Sequence, residues 1–174
     1  MRRTFIGIEI PEKVKEEIDK IQKQLPEFMG KFTEKKNLHV TLKFLGEIDE
    51  DKILEVKKRL KEIKFSDFEA KLDKIGFFDN TDRGVVWVNI TNCEKLQKEI
   101  DKKLEGLFQK EKRFMGHLTI ARTKYIKNKR EFLEKLDQIK ISHFGFNIGE
   151  FDLKESVLTG QKHVYINLEK YKLI

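Results

Sequence analysis

The 174 residues (20.8 kDa) leave room for one domain with a full core, or two small lobes sharing one, and exclude a long multidomain assembly. Charged and hydrophobic residues each make up 39% of the chain, with 14 Phe among them, so it can bury a core under a heavily ionic surface. A net charge of +7 and a pI near 9.3 suit a polyanionic partner such as RNA, and equally suit the Lys/Glu-rich solvated surface of heat-adapted proteins.

The opening "MRRTFIGIEI" is basic, but Glu9 breaks its apolar run too soon for a leader or a membrane span, so a cytoplasmic protein with no membrane partner is expected. "TFIGIEI" (4–10) alternates and reads as a strand. Pro11 then opens a helix expected to reach about Leu25 before Pro26, with Val14, Ile18, Ile21 and Leu25 forming one apolar stripe. "NLHVTLKFLG" (37–46) reads as a second strand. Asp49 is a good N-cap for the helix "EDKILEVKKRLKEI". Strands at 68–78 and 83–90 are joined by "DNTD", a turn composition. Thr91 and Glu94 suggest a capping box in front of "CEKLQKEIDKKLEGLF", whose buried stripe is Leu96, Ile100, Leu104 and Leu107. A second histidine strand follows. After it come a helix behind Asn128 and Glu131 and strands at 144–151, 153–159 and 163–168. The one cysteine, Cys93, has no disulfide or CxxC partner and reads as a first-turn helix residue in a reducing compartment.

The order of elements repeats, and so do the letters. "EEIDKIQKQL" (16–25) matches "KEIDKKLEGL" (98–107), "HVTL" (39–42) matches "HLTI" (117–120), and "VWVNI" (86–90) matches "VYINL" (164–168). The chain reads as an internal duplication, copies at about 1–82 and 83–174, with no Ser/Gly/Pro-rich linker between them. Two copies are too few for a solenoid, so a single domain over 1–174 with interleaved lobes and a pseudo-two-fold axis is expected.

On a strand, His39 and Thr41 point one way while Val40 and Leu42 point the other, and His117 and Thr119 repeat the arrangement. Across a cleft between symmetry-related strands, two imidazoles and two hydroxyls would converge. That set suits phosphoester chemistry, one imidazole accepting a proton and the other donating one while threonine hydroxyls hold phosphate oxygens. With eight threonines in the chain, a histidine has roughly one chance in twenty of a Thr two places on, and two of four doing so is about a one-in-a-hundred coincidence. His143 and His163 lack the setting and read as structural. No HExxH, P-loop or dinucleotide motif occurs, and no metal is expected. Lys43 shares the face of His39 under strict alternation and reads evenly as a phosphate contact or a solvated charge. Arg122, five places after His117, would point away unless a bulge turns it back. Phe5 and Trp87 read more readily as core than as base-stacking platforms.

The paired motifs, with "RTFIGIEIP", "HVTLKFLGEI" and "HLTIAR", resemble the 2H phosphoesterase superfamily over nearly the whole chain, specifically the RNA 2',3'-cyclic phosphodiesterases, also described as 2'-5' RNA ligases. The resemblance implies a bilobal α+β fold, two antiparallel sheets with helices packed outside and a central cleft. It implies metal-independent opening of RNA 2',3'-cyclic phosphate ends to 2'-phosphates, with no cofactor. His39 is then the proton donor to the leaving O3', His117 the proton acceptor from water, and Thr41, Thr119 and Arg122 the phosphate contacts. The implied partner is RNA with a cyclic phosphate terminus, tRNA halves being one candidate, and a monomer is expected. The alternatives are 2'-5' ligation of tRNA halves at the same site and a noncatalytic module that binds RNA ends or nucleotides.

Overall fold

The computed structural model describes residues 1–80 and 83–174, so half of the expected "DNTD" turn lies outside the described residues. In chain order the elements are β1 (Arg2–Glu9), α1 (Glu12–Gln22), β2 (Met29–Phe32), β3 (His39–Ile48), α2 (Glu50–Lys61), β4 (Phe68–Asp79), β5 (Gly84–Ile90), α3 (Glu94–Lys103), β6 (His117–Tyr125), α4 (Lys129–Asp137), β7 (Gly145–Ile148), β8 (Glu150–Thr159) and β9 (Lys162–Lys172), with a 3₁₀ turn at Lys35–Asn37 before β3. This is an α+β fold of four helices and a curled antiparallel sheet.

The sheet order is β7-β4-β5-β6-β3-β1-β8-β9, with β2 paired to β6 off that path. The two expected sheets are joined, though only just: β3 and β6 pair at Val40 and Leu118, and the halves splay from that point. Strands at equal distance from the junction correspond, β5 with β1 and β4 with β8. The helices repeat the relation, α1 packing on β6 and α3 on β3. "VWVNI" and "VYINL" do not occupy corresponding places, since β5 is interior and β9 is an edge strand. One apolar cluster joins Val14, Ile18 and Ile21 of α1, Ile53, Val56 and Leu60 of α2, Leu96 and Ile100 of α3 and Phe132 and Leu136 of α4 to Val40, Leu42, Leu118 and Ile120 of the central strands. Among the described residues no helix is long and apolar enough to cross a membrane.

The local signals mostly act as their chemistry requires. Asp49 accepts the Lys52 N–H at 2.9 Å and Asn128 accepts the Glu131 N–H at 3.1 Å, capping α2 and α4. The Thr91 box does not form: Asn92 takes a left-handed φ of 68°, Cys93 becomes the N-cap residue, and the Thr91 hydroxyl instead accepts the Lys71 N–H of β4. Helix α1 stops three residues short of Leu25, because Pro26 disfavours helical backbone in the residue before it. Strand β2 has no apolar alternation to announce it; all four of its residues are exposed and it exists by pairing with β6.

Candidate active site

His39 and His117 each begin a central strand. The antiparallel register through Val40 and Leu118 sets His39 across from Thr119 and His117 across from Thr41. Val40, Leu42, Leu118 and Ile120 are buried under the helices, whereas the two histidines and two threonines are half-buried on the opposite face. The two imidazoles are held alike: His39 Nδ1 lies 2.8 Å from the Asn37 carbonyl, and His117 Nδ1 lies 2.8 Å from the Met115 carbonyl. A carbonyl only accepts, so each Nδ1 carries the proton and each Nε2 is left for chemistry.

Arg122 joins this face through a bulge. Thr119 pairs with Trp87 and Ala121 with Val86, so Ile120 is the extra residue and alternation is reset beyond it. Its guanidinium charge reaches both His39 and Tyr165. Strand β3 carries the same irregularity at Leu42, between the pairs Gly7–Thr41 and Ile6–Lys43. There it turns Lys43 away from the site and into the core, where the ammonium, 2% exposed, sits 2.5 Å from Asp101 and 2.6 Å from the Gln109 carbonyl. Lys43 is therefore a core ion-pair residue.

Phe5 and Trp87 are buried at 3% and 8% exposure, as core residues; Phe5 also backs the His39 imidazole, and Trp87 backs Phe78. Phe5 lies 4.9 Å from the His39 ring; Trp87 lies 5.1 Å from Phe78, which meets His117 edge-on at 5.4 Å. His143 is exposed near Asp73, and His163 approaches Ser156 on the β8–β9 hairpin.

Three residues with no motif to mark them complete the surroundings. Tyr165 meets the His39 ring edge-on at 4.8 Å. Lys154, almost fully buried, donates to Glu9 at 2.7 Å and holds that carboxylate down at about 2, with help from Asn167, against the opposing effect of burial. Phe44 occupies on β3 the place that Arg122 occupies on β6. Beside His39 a cavity of about 140 Å³ is lined by Glu9, Lys15, Lys36, Asn37, Lys154 and Tyr165. The only sequence hint to Phe44 is its spacing of five from His39; Lys154 and Tyr165 arrive from β8 and β9 through long-range pairing.

Burial pushes His39 down to about 4, and the charges of Lys154, Arg122 and His117 add to that, against the raising effect of the Asn37 carbonyl. His39 is therefore neutral at pH 7 in the free protein. Among the described residues no group of three or more His, Cys, Asp or Glu side chains is placed to hold a metal ion.

A profile described as LigT like Phosphoesterase matches residues 8–88, which contain the first histidine motif. A protein of Methanocaldococcus jannaschii named RNA 2',3'-cyclic phosphodiesterase is 39% identical over 94% of this chain and 96% of its own length. One of the same name from Archaeoglobus fulgidus is 30% identical over 98% and 99%. Among solved structures, TT0787 of Thermus thermophilus superposes with a TM-score of 0.84 at 25% identity, covering 98% of this chain and 97% of that one. With both histidine strands meeting at one place in a fold shared over its full length, the chain belongs to the LigT-like phosphoesterase family.

Proposed function

We propose that this protein hydrolyses RNA 2',3'-cyclic phosphate ends to 2'-phosphate ends, without a metal, by paired-histidine acid and base catalysis. The observation that carries the reading is the pair of imidazoles at one strand junction, each with Nδ1 tied to a carbonyl and Nε2 left over. The name borne by its relatives supports the substrate.

In the reaction, His117 Nε2 takes a proton from water as the water oxygen bonds to phosphorus. The P–O3' bond breaks, and His39 Nε2–H delivers its proton to O3', leaving a 2'-monophosphate. The Thr41 and Thr119 hydroxyls donate to non-bridging oxygens, and Arg122 offsets the charge that grows on them. The depressed His39 must be protonated to act as donor. The substrate supplies the means: its phosphate charge favours the imidazolium and opposes the charges of Lys154 and Arg122, which add to burial in holding His39 low, so the proton is taken up as the substrate binds.

The mirrored strand order supports reading residues 1–174 as one domain of two interleaved copies. The same proposal takes it to act as a monomer on RNA ends, with tRNA halves as one candidate. The test is incubation with RNA ending in a 2',3'-cyclic phosphate in excess chelator. A 2'-phosphate end should form, and His39→Ala or His117→Ala should slow the reaction by about 10²-fold or more. Full activity in both variants, or a wild-type protein inert without metal, would overturn the reading.

A further inference from the structure

We infer that Lys154 is a positioning residue: it holds the Glu9 carboxylate away from His39, so that the Nε2–H of that imidazole stays free for the leaving oxygen. The inference rests on the reading above for which imidazole donates. Glu9 and His39 lie opposite one another on β1 and β3, and their side chains share a face and line one cavity. The charged and titratable groups about that imidazole are Lys15 from α1, Lys36 from the 3₁₀ turn, His117 and Arg122 from β6, Lys154 from β8 and Tyr165 from β9. Among the described residues Glu9 is the one carboxylate that joins them. With Nδ1–H given to the Asn37 carbonyl, a carboxylate left loose here would take the Nε2–H in a charge-assisted hydrogen bond.

Lys154 prevents this by tying the carboxylate down. Its ammonium donates to Glu9 Oε1 at 2.7 Å and to Asn167 Oδ1, and Asn167 Nδ2 donates to the same Glu9 oxygen at 3.0 Å. A second carboxylate is at hand. Asp152 is wholly buried, 3.6 Å from the ammonium, and neither of its oxygens accepts a hydrogen bond, whereas the Glu9 side chain is 47% exposed and open to water. A lysine placed only to compensate a buried carboxylate would bond Asp152, yet Lys154 bonds Glu9. Nor does its charge help His39 take up a proton, since it opposes the imidazolium. Holding Glu9 is the role that these contacts leave.

The experiment follows the His39 titration by NMR, and kcat/KM on cyclic-phosphate RNA, in wild type, Lys154→Met and Lys154→Met/Glu9→Ala. The His39 midpoint should rise from about 4 in wild type to about 6 in Lys154→Met, and lie at about 5 in the double variant, where the cation is gone and no carboxylate takes its place. Lys154→Met should lose about tenfold or more in kcat/KM, and the double variant should regain most of it. Should Lys154→Met fail to fold, Asp152→Asn is added to both variants to remove the carboxylate left without a cation, and the same differences are expected. Equal midpoints in the two variants, an undiminished kcat/KM in Lys154→Met, or a loss that Glu9→Ala does not restore would overturn the inference. No turnover by wild type, with the midpoints as expected, sinks the hydrolase reading and leaves the hold of Lys154 on Glu9 in place; wild-type turnover with equal midpoints in the variants does the reverse.

Discussion

Replacing Lys43 by Met separates a core role from a catalytic one. The ammonium neutralises Asp101, 7% exposed on α3, and also donates to the Gln109 carbonyl. Breaking a buried ion pair by removing one partner costs about 3–5 kcal/mol, because the other charge stays buried. Asp101 keeps two donors, Gln97 Nε2 at 2.7 Å and the Glu111 N–H at 2.9 Å, which places Lys43→Met at the low end, about 3 kcal/mol. In a chain of this size that is a fall in Tm of roughly 6–12 °C. In the wild type the Asp101 carboxyl lies below its ordinary value: burial raises it, but the bonds from Lys43, Gln97 and the Glu111 N–H outweigh burial. A carboxyl depressed by folding contributes stability above its unfolded value and loses it as pH falls through the folded one. Lys43→Met should therefore shrink the acid-side loss of stability as well as lowering the plateau. Thermal and urea unfolding of Lys43→Met and of Lys43→Met/Asp101→Leu is the assay; the double variant should recover most of the loss, and kcat/KM of either folded variant should stay within about threefold. A destabilisation under about 1 kcal/mol, or a hundredfold loss of kcat/KM at unchanged Tm, would refute the core assignment.

Gly30 of β2 faces β6 so closely that a Cβ there would run into the Arg122 carbonyl, so Gly30→Ala should destabilise by about 1–3 kcal/mol in urea titrations and weaken phosphate binding by displacing Arg122. Cys93, fully buried with its thiol pushed up to about 12 by burial and then Glu94, should resist alkylation at pH 8 until the chain unfolds; native-state labelling would contradict the packing. Sulfate, whose charge is constant between pH 4 and 8, should raise the titration midpoint of His39 from about 4 toward its ordinary 6.5 when followed by NMR, because the anion favours the imidazolium and offsets the charges of Lys154 and Arg122 that add to burial. Over most of that window the complex binds more proton at His39 than the free protein does, so sulfate affinity should rise as pH falls from 6.5 toward 4, and His39→Ala should lessen that rise.

What could be read in the letters was what is local or periodic. The stripes of α1 and α3, the Asp49 and Asn128 caps and the two HxTx strands follow from residue type and spacing alone. Register was not legible. A single extra residue reverses every side chain beyond it, so alternation alone aimed Lys43 at the site and Arg122 away from it, and the bulges at Leu42 and Ile120 reverse both. The motif's own repetition carried one more signal: the bulges recur at the same offset from each histidine, which makes Phe44 the counterpart of Arg122. Lys154 and Tyr165 reach His39 only because β8 pairs with β1, over 140 residues away in sequence, and no local pattern encodes that partner. Strand β2 is the same case in small.

The most direct measurement is a crystal structure of the protein with vanadate, which takes up the five-coordinate geometry of a phosphorus under attack. A single vanadate is expected at the β3–β6 junction, with His39 Nε2 and His117 Nε2 within hydrogen-bonding distance of oxygens on opposite sides of it. Vanadate held by one imidazole alone, or bound away from the junction, would contradict the shared phosphorus centre.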